Sequence, residues 1–287
     1  MNKVQKRYGK VFALDGLSLE VPAGAICAFV GPNGAGKTTT MAVLSGFIQP
    51  DVGEVDLLGL GPFDPERHQG RVGVLPQDAE LPLASSPRQL LRAWGALQGL
   101  SRADAAEATD RALRDVLLFD RADIPIRALS HGMRRRVTVA SALLGNPELI
   151  LLDEPTSGLD PVQAQHLREV IGALRGRKTV LISSHNLLEL ETLCDHVIFV
   201  DHGRCVRSGP MAAITGADRE VRIQLCAPFP EGRSEWVELR LERDDPRSLE
   251  SATTTLLQEL IAEGALIREV RRGESLERKY LSETANP

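Results

Sequence analysis

Eight consecutive residues, 31–38, have the types and spacing needed to hold a triphosphate. They match the pattern G-x-x-x-x-G-K-[ST], in which glycines without a Cβ let several backbone N–H groups approach the phosphate oxygens together. We expect Lys37 to reach the β- and γ-phosphates and the Thr38 hydroxyl to hold Mg²⁺. The apolar residues 25–30 predict a buried strand leading in, and residues 38–46 predict a helix leading out. The other members of this phosphate loop are Gly31, Pro32, Asn33, Gly34, Ala35 and Gly36.

Polar side chains also follow two further apolar runs that predict buried strands. Asp153 and Glu154 come directly after residues 149–152, and His185 comes shortly after residues 179–183. In a parallel sheet the carboxyl ends of the strands share one edge, where ligands bind. Asp153 would then bind Mg²⁺ through water, Glu154 would polarise the attacking water as a general base, and His185 would donate to a γ-phosphate oxygen. The alternative is an acidic turn and a structural histidine.

Gln77 and Tyr8 give weaker signals. Gln77 lies in a loop after the short apolar run 71–75, where its amide could bind a metal-bound or attacking water. A glutamine alone in a loop is more often merely solvated. Tyr8 lies beside a glycine shortly before the phosphate loop, so its ring could stack on a base. The alternative is an edge-strand tyrosine that packs on its neighbours.

The composition is that of a water-soluble globular protein. The 287 residues are 43% hydrophobic and 25% charged, and the formal net charge of -5 gives no indication of broad nucleic-acid binding. The four cysteines lack the short paired spacing of a metal site, and reduced thiols are the simple interpretation. Because no apolar run is long enough to cross a bilayer, any membrane association would require a partner.

Outside these sites the sequence pattern predicts strands, helices and a separate C-terminal domain. Residues 3–24 read as antiparallel strands, followed by a short strand over 54–58, and residues 85–145 read as helices. The run Arg134-Arg135-Arg136 on the third of these helices predicts a solvated face, with nucleic-acid contact as a minor alternative. A composition shift near Gly216 indicates a small separate α+β domain.

With these motifs in this order, residues 3–215 strongly resemble the ATP-binding subunit of ATP-binding cassette (ABC) transporters. The matching segments are Walker A at 31–39, the Q-loop at Gln77, the signature at 129–133, Walker B at 149–154, the D-loop at 157–160 and the switch histidine at His185. The resemblance implies an α/β fold of the P-loop NTPase class and ABC ATPase type. It would comprise a RecA-like core sheet, an antiparallel β subdomain and a helical subdomain at about 80–148. We therefore expect an ATPase domain at 1–216 and an accessory α+β domain at 217–287.

The resemblance also implies ATP and Mg²⁺ as cofactors and adds site residues. Thr39 would join the phosphate loop, Tyr8 would stack on adenine, and Asp160 would act through the D-loop. Ser130 and Gly132 of the signature would contact the γ-phosphate. Thr38, Gln77 and Asp153 would form the metal site. The signature departs from the commoner Leu-Ser-Gly-Gly-Gln, because His131 replaces a glycine and Met133 replaces the glutamine.

The mechanism implied is ATP-driven closure of two such chains, head to tail and as a homodimer, with ATP between Walker A of one and the signature of the other. The helical subdomain would dock on a transmembrane permease subunit, at the cytoplasmic face of the cell membrane. The signature helix, which contains the run Gly-Met-Arg near its start, and the C-terminal domain look most like ATPases of ABC-2-type exporters. The alternatives are a soluble ABC ATPase acting on ribosomes or DNA, and a nucleotide-binding regulator with little hydrolysis. The sequence does not name a transported substrate.

Overall fold

The computed structural model describes residues 1–77, 79–217, 219–226, 235–242 and 248–284. The chain forms two compact units, Met1–Ser208 and Gly209–Pro287. The strands of the described residues are, in chain order, β1 (Asn2–Tyr8), β2 (Val11–Leu17), β3 (Ile26–Val30), β4 (Val52–Glu54), β5 (Val72–Leu75), β6 (Leu149–Asp153), β7 (Thr179–Ser183), β8 (His196–Asp201), β9 (Arg204–Pro210), β10 (Glu220–Leu225), β11 (Trp236–Arg240) and β12 (Ile267–Arg272). The α-helices are α1 (Lys37–Leu44), α2 (Pro87–Leu97), α3 (Arg102–Asp115), α4 (His131–Ala142), α5 (Pro161–Gly172), α6 (Leu187–Leu193), α7 (Met211–Thr215), α8 (Leu249–Ala262) and α9 (Leu276–Thr284).

A six-stranded sheet in the order β5-β6-β7-β3-β8-β9 is the core of the first unit. The pairs β5–β6, β6–β7, β7–β3 and β3–β8 are all parallel, so their carboxyl ends lie at one edge. Every residue of β3 and β6 is buried, which explains why both read as continuous apolar runs. The strands predicted at 25–30, 149–152 and 179–183 are confirmed within one residue.

A three-stranded antiparallel sheet, β2-β1-β4, lies in the same unit. Here the strand predicted at 54–58 is wrong, because β4 ends at Glu54. The chain turns instead: the Leu57 N–H donates to the Gly61 carbonyl at 2.8 Å, and the Gly61 N–H donates to the Asp56 carboxylate at 2.7 Å. Leu58 adopts a positive φ of 58°, which ends any extended run. The apolar residue Leu57 is buried without belonging to a strand.

The helices between β5 and β6 begin where the sequence predicts. Ser86 forms a full capping box with Gln89 and precedes proline at the start of α2. Ser101 and Ser130 cap α3 and α4 through their hydroxyl oxygens. No helix among the described residues has the length and apolar character required to span a bilayer.

The second unit contains a separate antiparallel sheet in the order β11-β10-β12. Its small core joins inward side chains of β10 to the apolar side of α8. The described residues after Gly216 form both strands and helices. The Pro/Gly-rich loop that the sequence indicates between the first two strands of this region falls on residues 227–234, which lie outside the described residues.

The four cysteines differ sharply in exposure. Cys27 and Cys194 are buried, Cys205 is partly buried, Cys226 is exposed, and all four are free thiols. Burial raises the pKa of Cys27 to about 12, and it also raises the pKa of Cys194.

Candidate nucleotide-binding site

The phosphate loop connects the carboxyl end of β3 to the start of α1. Gly36 is the N-cap of this helix, with φ of 98° and no side chain that caps the first turn. The N–H groups of Lys37, Thr38 and Thr39 therefore have no acceptor within the helix. Free N–H groups at the positive end of a helix form a site for phosphate oxygens. This segment fits the triphosphate that its sequence predicts.

Two of the loop glycines leave no space for a side chain. A Cβ on Gly31 would lie 2.3 Å from the Val200 carbonyl oxygen. A Cβ on Gly36 would lie 2.4 Å from the Ala13 carbonyl oxygen. The loop is thus held against β8 on one side and β2 on the other, which fixes the path of its backbone. Gly34 differs, because a Cβ there would meet nothing within 4 Å.

The ammonium group of Lys37 is held inside the loop. Its Nζ donates to the carbonyl oxygens of Gly31 at 2.7 Å and Pro32 at 3.0 Å. Burial lowers the pKa of Lys37, while the nearby carboxylates of Glu154 and Asp153 act in the opposite direction. Lys37 is therefore a positive group in a partly desolvated position beside two acidic residues.

Two oxygen-bearing side chains meet where Mg²⁺ is expected, and a third lies at the end of β6. The Thr38 hydroxyl donates to Oε1 of Gln77 at 3.5 Å. Two oxygens that bind one Mg²⁺ at adjacent octahedral positions are about 3.0 Å apart, so a small inward movement suffices. Asp153 is only 3% exposed and ends the strand β6 in the same sheet. Hydroxyl, amide and carboxylate oxygens suit this hard cation, and the set fits it.

Glu154 and His185 form a direct contact. His185 Nδ1 lies 2.7 Å from Oε2 of Glu154, and the histidine side chain is 78% exposed whereas that of the glutamate is 16% exposed. Glu154 has a positive φ of 52°, a conformation that residues with a side chain rarely adopt. Such strain is concentrated at functional sites, where the surrounding structure holds it. A carboxylate fixed in this way can accept a proton from a water in the cleft.

Ser183 is a site residue that the sequence did not reveal. Its hydroxyl donates to Oδ1 of Asp153, and its Oγ accepts the Glu154 N–H at 3.2 Å. Ser183 is fully buried at the end of β7, next to β6. A serine at the end of a predicted strand has no local signal for this role, since only the register of the two strands brings these residues together.

The prediction that Arg134-Arg135-Arg136 is a solvated face is wrong. Arg136 is buried and donates to the carbonyl oxygens of Val116 and Leu117. Arg135 crosses to the strand ends and donates to the Asp153 carbonyl at 2.6 Å. The reason is helical geometry: three consecutive residues point in directions about 100° apart, so they cannot share one face.

A cleft of about 890 Å³ brings several predicted residues together. Its lining includes Asn33, Gln77, Glu154, His185 and His131 of the signature segment. Ser130, Gly132, Asp160 and Tyr8 are not among the residues that line it.

The predicted residues outside the cleft make local contacts. Ser130 caps α4, and Asp160 caps α5 by accepting the Gln163 N–H at 3.0 Å. Gly132 lies against the Gln163 side chain, which would be 3.0 Å from a Cβ at that position. Tyr8 ends β1, where it pairs with Val11 of β2, and it is 49% exposed.

Comparison with known proteins agrees with this geometry. The family model described as "ABC transporter" matches residues 14–157. The chain belongs to the ABC transporter family. The family predicted from the motifs is thereby confirmed, and the chain is an ATP-binding and ATP-hydrolysing ABC subunit.

Relatives of this ABC protein include two that are named Nod factor export ATP-binding protein I. The one from Cupriavidus metallidurans is 43% identical over 213 residues, which are 73% of this chain and 70% of the relative. The one from Burkholderia lata is 42% identical over 232 residues, which are 79% of this chain and 76% of the relative.

Solved ABC structures share the fold. An ATP-binding subunit of an ABC transporter aligns with a TM-score of 0.69 and 27% identity, covering 75% of this chain and 90% of that one. The dimeric post-hydrolysis structure of an ATP-binding cassette with ADP and Pi aligns with a TM-score of 0.66 and 22% identity, covering 73% of this chain and 97% of that one. The predicted fold class, a P-loop ABC ATPase, is confirmed.

Proposed function

We propose that this ABC ATPase powers export through a separate transmembrane permease subunit. The observation that carries the proposal is the convergence of an uncapped phosphate-loop helix and the Glu154–His185 pair at one edge of the core sheet. The names of the 43% and 42% identical relatives supply the direction, since both are export ATP-binding proteins. No membrane-spanning helix is found in the described part of the chain, so the pathway for the substrate is assigned to the partner.

Hydrolysis would use the residues of the phosphate loop, the end of β6 and the cleft as follows. The loop N–H groups and Lys37 bind the β- and γ-phosphates and oppose their charge. Thr38, Gln77 and, through water, Asp153 would hold Mg²⁺, which neutralises charge on the phosphate oxygens when bound. Glu154 accepts the proton of the attacking water as general base. His185 keeps the Glu154 carboxylate in place and donates to the γ-phosphate.

Transport requires that hydrolysis be coupled to movement. We assign two copies of the chain to a head-to-tail homodimer, with Ser130 and Gly132 of one copy against the nucleotide of the other. Tyr8 stacks on adenine, and Asp160 acts at the contact between the copies. The helical subdomain at about 80–148 and the Gln77 loop dock on the permease, at the cytoplasmic face of the membrane. In this proposal residues 1–216 are the ATPase domain and 217–287 are an accessory domain.

Glu154→Gln tests the hydrolytic assignment. The amide cannot accept the proton of the attacking water, so we expect the ATP hydrolysis rate to fall about 10²–10⁴-fold. ATP affinity should remain within a few-fold of the parent value, since the phosphate-binding groups are intact. In the presence of ATP the variant should elute from gel filtration as an ATP-bound dimer. Glu148→Gln is the matched control, because Glu148 forms an exposed ion pair with Arg71 outside the cleft. Hydrolysis at the parent rate in Glu154→Gln would disprove the general base.

Co-purification tests the partner. The tagged chain is recovered from mildly solubilised membranes, and the proteins that accompany it are identified. We expect a multi-span membrane protein in stoichiometric amount. Recovery of ribosomes or DNA instead would favour a soluble ABC ATPase and contradict the proposed transport function.

A further inference from the structure

The helix α4 presents three consecutive arginines that have three different environments. Arg134 donates to the Leu129 carbonyl of its own segment at 3.0 Å. Arg136 turns towards the end of α3, where it contacts the carbonyls of residues 116 and 117. Within the described residues, Arg135 is the one arginine of the three that donates hydrogen bonds at the carboxyl end of a core strand. It therefore links the helix that carries the signature segment to the site of hydrolysis.

The guanidinium group of Arg135 contacts three main-chain carbonyls of the nucleotide site. Its Nη2 donates to the Asp153 oxygen at 2.6 Å and to the Glu154 oxygen at 2.7 Å. Its Nη1 donates to the Gln77 oxygen at 3.2 Å. Hydrogen bonds from a charged donor are stronger than neutral ones. A single side chain thus joins Asp153, the last residue of β6, and Glu154, which follows it, to the loop after β5.

The backbone of Glu154 is held from both sides. Its N–H group faces the carbonyl and hydroxyl oxygens of Ser183, each at 3.2 Å, and its carbonyl accepts from Arg135. Between these two anchors the residue keeps its unfavourable φ of 52°. Because the direction of the carboxylate follows from this backbone conformation, release of one anchor would let the side chain turn away from the attacking water. A displacement of about 1 Å in such a group can lower a rate about 10²-fold.

We propose that Arg135 is the positioning residue of the general base, and that through it the signature helix sets the orientation of Glu154. The inference rests on the proposed role of Glu154 and deepens it. Arg135 does not touch the phosphates in this assignment and acts only through the main chain of the residues that do the chemistry. When α4 moves against the strand ends, the carboxylate moves with it.

The experiment compares steady-state ATP hydrolysis by the full-length chain and its Arg135→Met variant. Methionine keeps much of the side-chain volume and removes all the donors. We expect kcat to fall about 10–100-fold while KM for ATP stays within threefold, since the phosphate-binding groups are unchanged. Arg135→Lys retains the charge and one point of donation, so it should recover part of the lost kcat. Arg114→Met is the control, because its guanidinium lies over the Phe119 ring, 4.4 Å from the centroid, in the same helical region.

A double mutant distinguishes a positioning role from a merely structural one. In the Glu154→Gln background there is no base left to orient, so Arg135→Met should cause less than a threefold further loss of rate. An equal loss of kcat in both backgrounds, or kcat of Arg135→Met within twofold of Arg114→Met, would overturn the inference. If Arg135→Met is not recovered folded, Arg135→Lys is measured in both backgrounds. A smaller loss of kcat is then expected only in the background that keeps Glu154, and an equal loss in both backgrounds would overturn the inference. Parent activity in Glu154→Gln alone would instead overturn the general-base assignment on which the inference rests, so the two failures are distinguishable.

Discussion

The tight packing of the phosphate loop can be tested at a single glycine. In Gly36→Ala the added methyl group would lie 2.4 Å from the Ala13 carbonyl oxygen and 2.9 Å from Cδ2 of Leu14. The backbone at this residue also has φ of 98°, which a residue with a Cβ adopts only at a cost. Gly34→Ala is the matched control. Its φ is 85°, but its Cβ would meet nothing within 4 Å.

The two substitutions separate a conformational cost from a steric one. Placing alanine at a left-handed backbone position costs about 1–2 kcal/mol, and both variants carry this cost. Overpacking costs typically about 1–3 kcal/mol more, and only Gly36→Ala carries it, because the obstructing oxygen belongs to the main chain of β2 and cannot rotate away. We therefore expect a loss of about 1–2 kcal/mol for Gly34→Ala and about 2–5 kcal/mol for Gly36→Ala.

Urea denaturation gives the free energy of unfolding, and ATP affinity is measured on the same samples at a temperature where each variant is folded. The Gly36→Ala loop must shift at the start of α1, where its N–H groups would meet the phosphates, so ATP affinity should fall about tenfold or more, a loss of roughly 1.4 kcal/mol of binding free energy. Equal free energies of unfolding for the two variants would refute this reasoning, because they would show that β2 accommodates the methyl group without an energetic cost.

Two further predictions concern Ser183 and Lys37. Ser183→Ala leaves the buried Asp153 carboxylate without one hydrogen-bond donor, so we expect a loss of about 1–3 kcal/mol in the free energy of unfolding. The Mg²⁺ concentration at half-maximal hydrolysis should rise roughly tenfold, and an unchanged Mg²⁺ dependence would contradict this role of Ser183. The folded-state pKa of Lys37 lies below its ordinary 10.5, so the folded chain loses the ammonium proton at a lower pH than the unfolded chain does. ATP affinity measured without Mg²⁺ should therefore fall as the pH rises through that lowered pKa. Because the Glu154 carboxylate raises this pKa, Glu154→Gln should move the fall to lower pH, and a fall at the same pH in both proteins would contradict the coupling.

Residues whose environment depends on their chain neighbours were predictable from sequence. The phosphate loop, the buried runs of β3 and β6, and the serine cap of α2 each combine residue type with local spacing. The fold class followed from these signals and the family resemblance. The site roles assigned to individual side chains remain predictions until the variants above are measured.

What sequence could not supply was the contact between distant segments. The sequence shows Arg135 as one of three equivalent charges, and only the packing of α4 against the strand ends shows which of them reaches Asp153 and Glu154. The role of Ser183 depends on the register of β6 with β7. At residues 54–58 the apolar pattern was real, but the burial of Leu57 within a turn produced the same alternation as a strand.

The distribution of the thiols makes this protein ready for site-selective chemistry. With a pKa of about 12, Cys27 is ionised in only about one molecule in 10⁵ at pH 7, and its sulfur is buried as well. Cys194 is shielded in the same way, whereas Cys226 is exposed in the second unit. A maleimide dye should therefore modify Cys226 first in the unaltered chain. The native sequence thus offers an attachment point for a fluorophore in the second unit.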